Sequence, residues 1–249
     1  MLTDAFLATQ RVVVVTPHAD DETLGCAGTI ARIKQLGGEV YCLLASLGGI
    51  DQYMDSGPAA AREQPQARMR FVSGAERLGE FRAAMDLLKV DGWEVMFGDE
   101  YHMALDKRPI RDLIDRVERI GAVSLEQVRP TMLLMPAESF NQDHEAVFQA
   151  CLAATRPTAP GRRHIVPIVL TYDNGTAYWA PNSGNFQPNV YVDISDYVDI
   201  KWRAWAQYAS QRYSMPRGAE DPMSALMHLY GARVGVAAAE AFHALRIVL

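Results

Sequence analysis

The tightest constraint on this chain is Arg11-Val12-Val13-Val14-Val15-Thr16-Pro17-His18-Ala19-Asp20-Asp21-Glu22, where a β-branched run ends abruptly in one imidazole and three carboxylates. Four consecutive valines leave no polar face, so the segment reads as a strand covered on both sides, the pattern of a central parallel strand. Such a strand needs helices above and below it, which predicts an α/β chain. In open sheets of this class, ligands gather beyond the carboxyl ends of the strands. The polar cluster falls at that end.

The rest of the chain repeats the alternation. Apolar residues at helical spacing over 24–36 stop at Gly37-Gly38, and Glu39–Ser46 reads as a second strand, giving a parallel, right-handed βαβ unit. Residues 49–72, rich in Gly, Pro, Ala and Gln, read as a loop. Helices follow over 75–89, 109–120 (with Pro109 in its first turn) and 143–155, and strands over 94–97, 131–135, 165–172 and 189–194. Two helices, 196–214 and 222–246, close the chain. This pattern predicts a Rossmann-like three-layer sandwich with a mostly parallel, doubly wound sheet. A length of 249 residues suits one domain, 1–249.

Charge and cysteine usage narrow the function. A net charge of −6, with no run of Lys or Arg, offers no footprint for nucleic acid or an anionic membrane. A small-molecule substrate is expected. Apolar runs are strand-sized, and Met1-Leu2-Thr3-Asp4-Ala5-Phe6-Leu7 lacks the basic region and cleavage site of a signal peptide, so a cytoplasmic protein without membrane insertion is expected. Cys26, Cys42 and Cys151 are odd in number and form no CxxC, which reads as buried thiols rather than disulfides.

His18 and Asp21 stand three positions apart where the first strand turns into a helix, so both can face one centre. Imidazole plus carboxylate suits Zn²⁺ or Fe²⁺, and a third ligand would complete a catalytic site with open positions. Another buried strand supplies a candidate, because Met132-Leu133-Leu134-Met135-Pro136 runs on to Asn141-Gln142-Asp143-His144. His144 is the expected third ligand. Asp20, beside two of the ligands, is the expected general base toward water activated by the metal. A lone histidine after a strand is ordinarily a hydrogen-bonded loop residue, and acidic residues at a helix start are ordinarily caps. Two such clusters at the ends of two buried strands shift the balance to a metal site.

Pro17-His18-Ala19-Asp20-Asp21-Glu22-Thr23-Leu24-Gly25, followed by a second strand ending in a Gly-rich turn, resembles the first motif of the PIG-L/LmbE-like N-deacetylase family. The resemblance continues through Arg77-Leu78-Gly79-Glu80-Phe81-Arg82-Ala83-Ala84, Asn141-Gln142-Asp143-His144, Tyr230-Gly231-Ala232-Arg233 and Ala239-Glu240-Ala241-Phe242. It implies zinc on His18, Asp21 and His144, Asp20 as acid/base, and removal of an acetyl group from an amino sugar of the N-acetylglucosamine type. Asn189-Val190-Tyr191-Val192-Asp193-Ile194-Ser195, Lys201, Ser210-Gln211 and Met215-Pro216-Arg217 resemble the branch found in bacterial surface-glycan and modified-sugar pathways, which implies a nucleotide- or glycan-linked sugar. Members often assemble, which implies a homo-oligomer, although no apolar stripe in the sequence marks an interface.

One departure stands out. Many members carry a histidine where this chain has Asn141, and an asparagine amide donates a hydrogen bond to an oxyanion but no proton at neutral pH. Asp20 would then return its proton to the leaving amine. Asp143 either orients a neighbouring ligand or caps the helix. The resemblance places Arg77 near the sugar, the alternative being a surface helix charge. In the long aromatic segment 173–188, Tyr178 and Trp179 read as a sugar-stacking rim or as packing. Glu22 and Thr23 read as first-turn residues, with Glu22 able to hydrogen-bond around the ligands. His102, His164, His228 and His243 receive no role.

Other classes fit less well. A dinucleotide-binding dehydrogenase would carry GxGxxG in the first βα turn, where three carboxylates here would repel phosphate. A receiver-type phosphoacceptor would carry Asp-x-Asp-x-Thr in about half the length. A non-catalytic sugar-binding homologue, favoured by Asn141 alone, or an amidase on another N-acyl substrate, stays as the alternative.

Overall fold

The computed structural model describes residues 3–48, 50–53, 69–98, 101–157, 163–174, 186–211 and 222–248. Its first half contains α1 (Asp4–Leu7), β1 (Arg11–Thr16), α2 (Asp21–Gln35), β2 (Glu39–Ser46), β3 (Ile50–Tyr53), β4 (Met69–Val72), α3 (Gly74–Leu88), β5 (Gly92–Phe97) and α4 (Ile110–Glu118). Then come α5 (Leu125–Val128), β6 (Met132–Pro136), α6 (Gln142–Ala154), β7 (Ile168–Tyr172), β8 (Val190–Asp193), α7 (Val198–Trp205), α8 (Pro222–Val234) and β9 (Ala239–Ile247).

All four valines of β1 are fully buried, and they divide by the two-residue period of a strand. Val12 and Val14 pack in one core with Cys26, Ile30 and Ile33 of α2, Phe81 and Met85 of α3 and Ala204 of α7. Val13 and Val15 pack in the other with Leu113 and Val117 of α4 and Val147 and Ala150 of α6. Helices therefore cover both faces, as the valine run requires. This is the expected three-layer α/β sandwich.

The seven-stranded sheet has the order β5-β2-β1-β6-β7-β9-β8. From β5 to β7 all neighbours are parallel, and β9 pairs antiparallel with both β7 and β8. Counted in chain order, the parallel strands run 3-2-1-4-5, so the winding reverses between β1 and β6. The crevice at that reversal is the topological switch point, where such sheets place their ligands.

Four expectations need correction. The segment 222–246 is not one helix: α8 stops at Val234, Gly235 turns the chain at φ 79°, and β9 fills the slot between β7 and β8. The alanine-rich run before Phe242 favours a helix locally, but the unpaired edges of two strands outweigh that small preference. The loop 49–72 contains the antiparallel pair β3 and β4. The expected helix 196–214 is a 3₁₀ turn, Ser195–Tyr197, followed by the eight residues of α7. Pro109 sits one position early, as the N-cap of α4, where its carbonyl accepts from Asp112 N at 2.9 Å.

Candidate metal centre

The two histidine-bearing turns leave β1 and β6, which are neighbours, and so meet across the switch point. His18, Asp21 and His144 are all buried, with one ligand atom from each lying within 4.8 Å of the others. Asp21 Oδ2 is at the centre: 3.2 Å from His144 Nε2, 3.6 Å from His18 Nδ1, and accepting His18 N–H at 2.9 Å. Three ligands about 2.1 Å from one tetrahedral ion are separated by about 3.4 Å. The separations of 3.2 and 3.6 Å straddle that value, so the donor set fits a zinc-type ion by both chemistry and spacing.

Two of the three are fixed from behind. His18 Nε2 lies 2.9 Å from Asp143 Oδ2, which turns Nδ1 toward Asp21. The two Asp143 oxygens also accept the backbone N–H groups of Met103 (2.7 Å) and Leu105 (2.9 Å). Asp143 therefore orients His18, and capping of α6 falls to Asn141, whose Oδ1 accepts from Asp143 N and His144 N. Asn174, just past β7, donates to Asp21 Oδ1. Its position gave no signal in the sequence beyond lying at the end of a buried strand.

Asp20 is the N-cap residue of α2, yet its side chain makes no capping bond. Its backbone is at φ 150°, ψ −28°, a conformation that costs an ordinary residue of order 1–3 kcal/mol. Glu22 secures it by accepting Asp20 N–H at 3.2 Å, and is itself held by Thr23 Oγ1 at 2.8 Å and by the Tyr208 hydroxyl. The adjacent Ala19 carbonyl accepts from Arg77 Nη2 at 2.5 Å, and the same nitrogen lies 3.7 Å from Asp20 Oδ2. Arg77 is 2% exposed, so it is no surface charge. Its guanidinium faces Asp20, Glu80 and Ser210.

The electrostatics separate the two adjacent aspartates. Burial pushes Asp20 up to about 8, reinforced by Asp21 and Glu22 and opposed by Arg77 and His144. Burial also works to raise Asp21, but the charge and hydrogen bond of His144, with His18, outweigh it and hold that carboxyl well below the usual range. For His144, desolvation is outweighed by Asp21, and its pKa rises. The two adjacent carboxyls therefore have opposite environments, one disfavouring and one favouring the charged form.

α2 is tied down by a second buried constellation. Glu240 of β9 accepts the N–H groups of Gly28 (3.0 Å) and Thr29 (2.7 Å), while Lys201 of α7 donates to the carbonyls of Thr23 (3.0 Å) and Leu24 (2.7 Å). The two side chains pair at 2.6 Å. Gly25 and Gly28 let Tyr172 and Ile194 pack against the helix backbone, since a Cβ at either position would come within 3.0 Å of them.

His102, without a role in the sequence reading, lies at the centre. Its ring stands edge-on to His18, centroids 4.9 Å apart, and burial with the charges of His18 and Arg77 lowers its pKa to about 4. It comes from the connection after β5, with no motif to mark it. Tyr178 and Trp179 lie outside the described residues. No helix among the described residues is long and apolar enough to cross a membrane.

Residues 13–155 match the family described as PIG-L: GlcNAc-PI de-N-acetylase. A relative from Bacillus anthracis, named as a probable N-acetyl-alpha-D-glucosaminyl L-malate deacetylase 2, is 25% identical over 204 residues, covering 81% of each chain. The N,N'-diacetylchitobiose deacetylase of Pyrococcus horikoshii shares the fold at TM-score 0.67 and 18% identity, covering 98% of this chain and 87% of its own. GalB of Pseudomonas putida KT2440, a 4-carboxy-2-hydroxymuconate hydratase, shares it equally, at TM-score 0.67 and 19% identity over 96% and 98%. The fold by itself therefore does not choose the reaction.

Proposed function

The chain belongs to the PIG-L family, and from that membership we propose that it is a metal-dependent hydrolase removing the N-acetyl group from an N-acetylglucosamine-type amino sugar. The observation that carries this reading is the meeting of His18, Asp21 and His144 at the switch point beside an Asp20 carboxylate that no cap consumes. The name of the Bacillus anthracis relative supports the substrate class.

His18, Asp21 and His144 would hold Zn²⁺, with Fe²⁺ as the other ion suited to the donor set. A bound ion supplies Lewis acidity toward the acyl oxygen and toward water. Asp20 takes the proton of the attacking water on its carboxylate as the carbon–oxygen bond forms, then delivers it to the amide nitrogen as the carbon–nitrogen bond breaks. Acetate and a free amino sugar result. Arg77 and Glu22 hold Asp20 in place for both transfers, and a proton affinity raised by burial suits a group that must accept and return the same proton. Three unpaired cysteines suit a reducing compartment, so the reaction is assigned to the cytoplasm. The chain acts as one domain on a small molecule.

The test is amine release from free, glycan-linked and nucleotide-linked N-acetylhexosamines by zinc-loaded protein, with a chelated sample and Asp20→Asn as controls. Turnover is expected only in the loaded wild type, with Asp20→Asn at least about 10²-fold slower, as for loss of a general base, and zinc binding retained. Stoichiometric zinc without amine release from any sugar would refute the substrate class and turn attention to another reaction on this fold. Failure to bind a metal would refute the centre.

A further inference from the structure

The sequence offers Asn141 as a donor to a developing oxyanion, and in the structure the same side chain also caps α6. Its Oδ1 caps α6 through Asp143 N and His144 N, and its amide nitrogen lies 3.9 Å from Met103 Sδ. A hydrolytic centre of this kind still needs a fixed donor where negative charge appears on the acyl oxygen.

His102 meets the structural requirements for that donor. Its ring packs edge-on against His18, a candidate ligand, at a centroid separation of 4.9 Å. The backbone on its C-terminal side is anchored, because Met103 N and Leu105 N both donate to Asp143, the carboxylate that also orients His18. One buried group thus sets the relative positions of the two imidazoles. His102 is half-buried, and neither ring nitrogen has a hydrogen-bond partner among the described residues. Met103 takes the left-handed conformation, φ 54°, to make this turn. A non-glycine residue held there by two bonds to a ligand-orienting carboxylate indicates a backbone constrained to present its neighbour.

We propose that His102 is a catalytic residue of this centre, its ring N–H donating a hydrogen bond to the acyl oxygen of the substrate as that oxygen gains charge. The assignment rests on the deacetylase reading above. It requires only a neutral imidazole, which always carries one N–H. No proton is transferred: attack by water still forms the carbon–oxygen bond, and Asp20 still carries the proton to the amine.

The experiment compares wild type, His102→Ala and His102→Gln, the last retaining an N–H donor. It reads kcat and KM on the sugar that releases amine, and zinc and acetate binding by calorimetry. Loss of one oxyanion donor predicts kcat lower by about 10²-fold in His102→Ala, KM within about threefold, and at least about tenfold recovery in His102→Gln. Zinc affinity should be the same in all three, and acetate should bind about tenfold more weakly to His102→Ala alone, one charge-assisted hydrogen bond being lost. The assignment is overturned if His102→Ala keeps kcat within twofold, if its zinc affinity falls with its activity, or if glutamine does no better than alanine. Should the wild type turn over no amino sugar, the deacetylase reading fails, and acetate binding alone decides for or against His102 as an oxygen-binding donor.

Discussion

Removing the Glu240 carboxylate tests how the first motif is held from below. In Glu240→Ala the Lys201 ammonium, 2% exposed, keeps the Thr23 and Leu24 carbonyls but loses its only counter-charge among the described residues, at 2.6 Å. Breaking a buried pair by deleting one partner costs about 3–5 kcal/mol, chiefly because the other charge stays desolvated. The freed N–H groups of Gly28 and Thr29 can share the carbonyls one helical turn back, so they add little to that figure. Against a total stability of about 5–15 kcal/mol, the loss is about a fifth or more. Urea unfolding followed by tryptophan fluorescence should show a lower midpoint with an unchanged slope. Lys201→Met should cost a similar amount, and Glu240→Ala with Lys201→Met should cost clearly less than the two single changes summed, a coupling of at least about 2 kcal/mol. A loss below about 1 kcal/mol for Glu240→Ala, or strict additivity in the cycle, would refute the view that this pair is a desolvated unit anchoring α2.

Gly25→Ala places a methyl 2.3 Å from Tyr172 Cδ2, and that ring cannot retreat freely because its hydroxyl donates to the Val15 carbonyl at 2.9 Å. Overpacking of about 1–3 kcal/mol should exceed the gain of at most about 1 kcal/mol in helix propensity, so thermal denaturation should show a lower Tm; a raised Tm would refute the close contact. Burial pushes the thiols of Cys26, Cys42 and Cys151 up, well beyond the range in which thiolate forms at pH 8. A colorimetric thiol reagent should therefore find none reactive in the folded protein and all three after denaturation, and fast labelling of the native chain would contradict the buried placement.

Several site residues were legible because their signals are local. His18, Asp20 and Asp21 follow a strand that its own valines identify, and His144 follows a second strand of the same kind. A buried strand, a sharp turn and a helix start are all read within a dozen residues, and strand-end placement does the rest. The departure at Asn141 was also visible, though its use as a cap depended on where α6 begins. Arg77 was visible as the start of a motif in a helical stretch. Its burial against Ala19 and Asp20 depends on α3 lying beside α2, which no window of sequence contains.

Sequence by itself determined the covered central strand, the parallel βαβ winding and the three residues of the candidate metal centre, because hydrophobic period and strand-end chemistry are properties of contiguous residues. Tertiary structure alone decided that 239–247 would be a strand, that Glu240 and Lys201 would clasp α2, and that Asn174 and His102 would join the centre. Each of those outcomes depends on partners far away in the chain. Pairing edges and desolvation differ by more free energy than the local propensities they override, so only the folded arrangement fixes them.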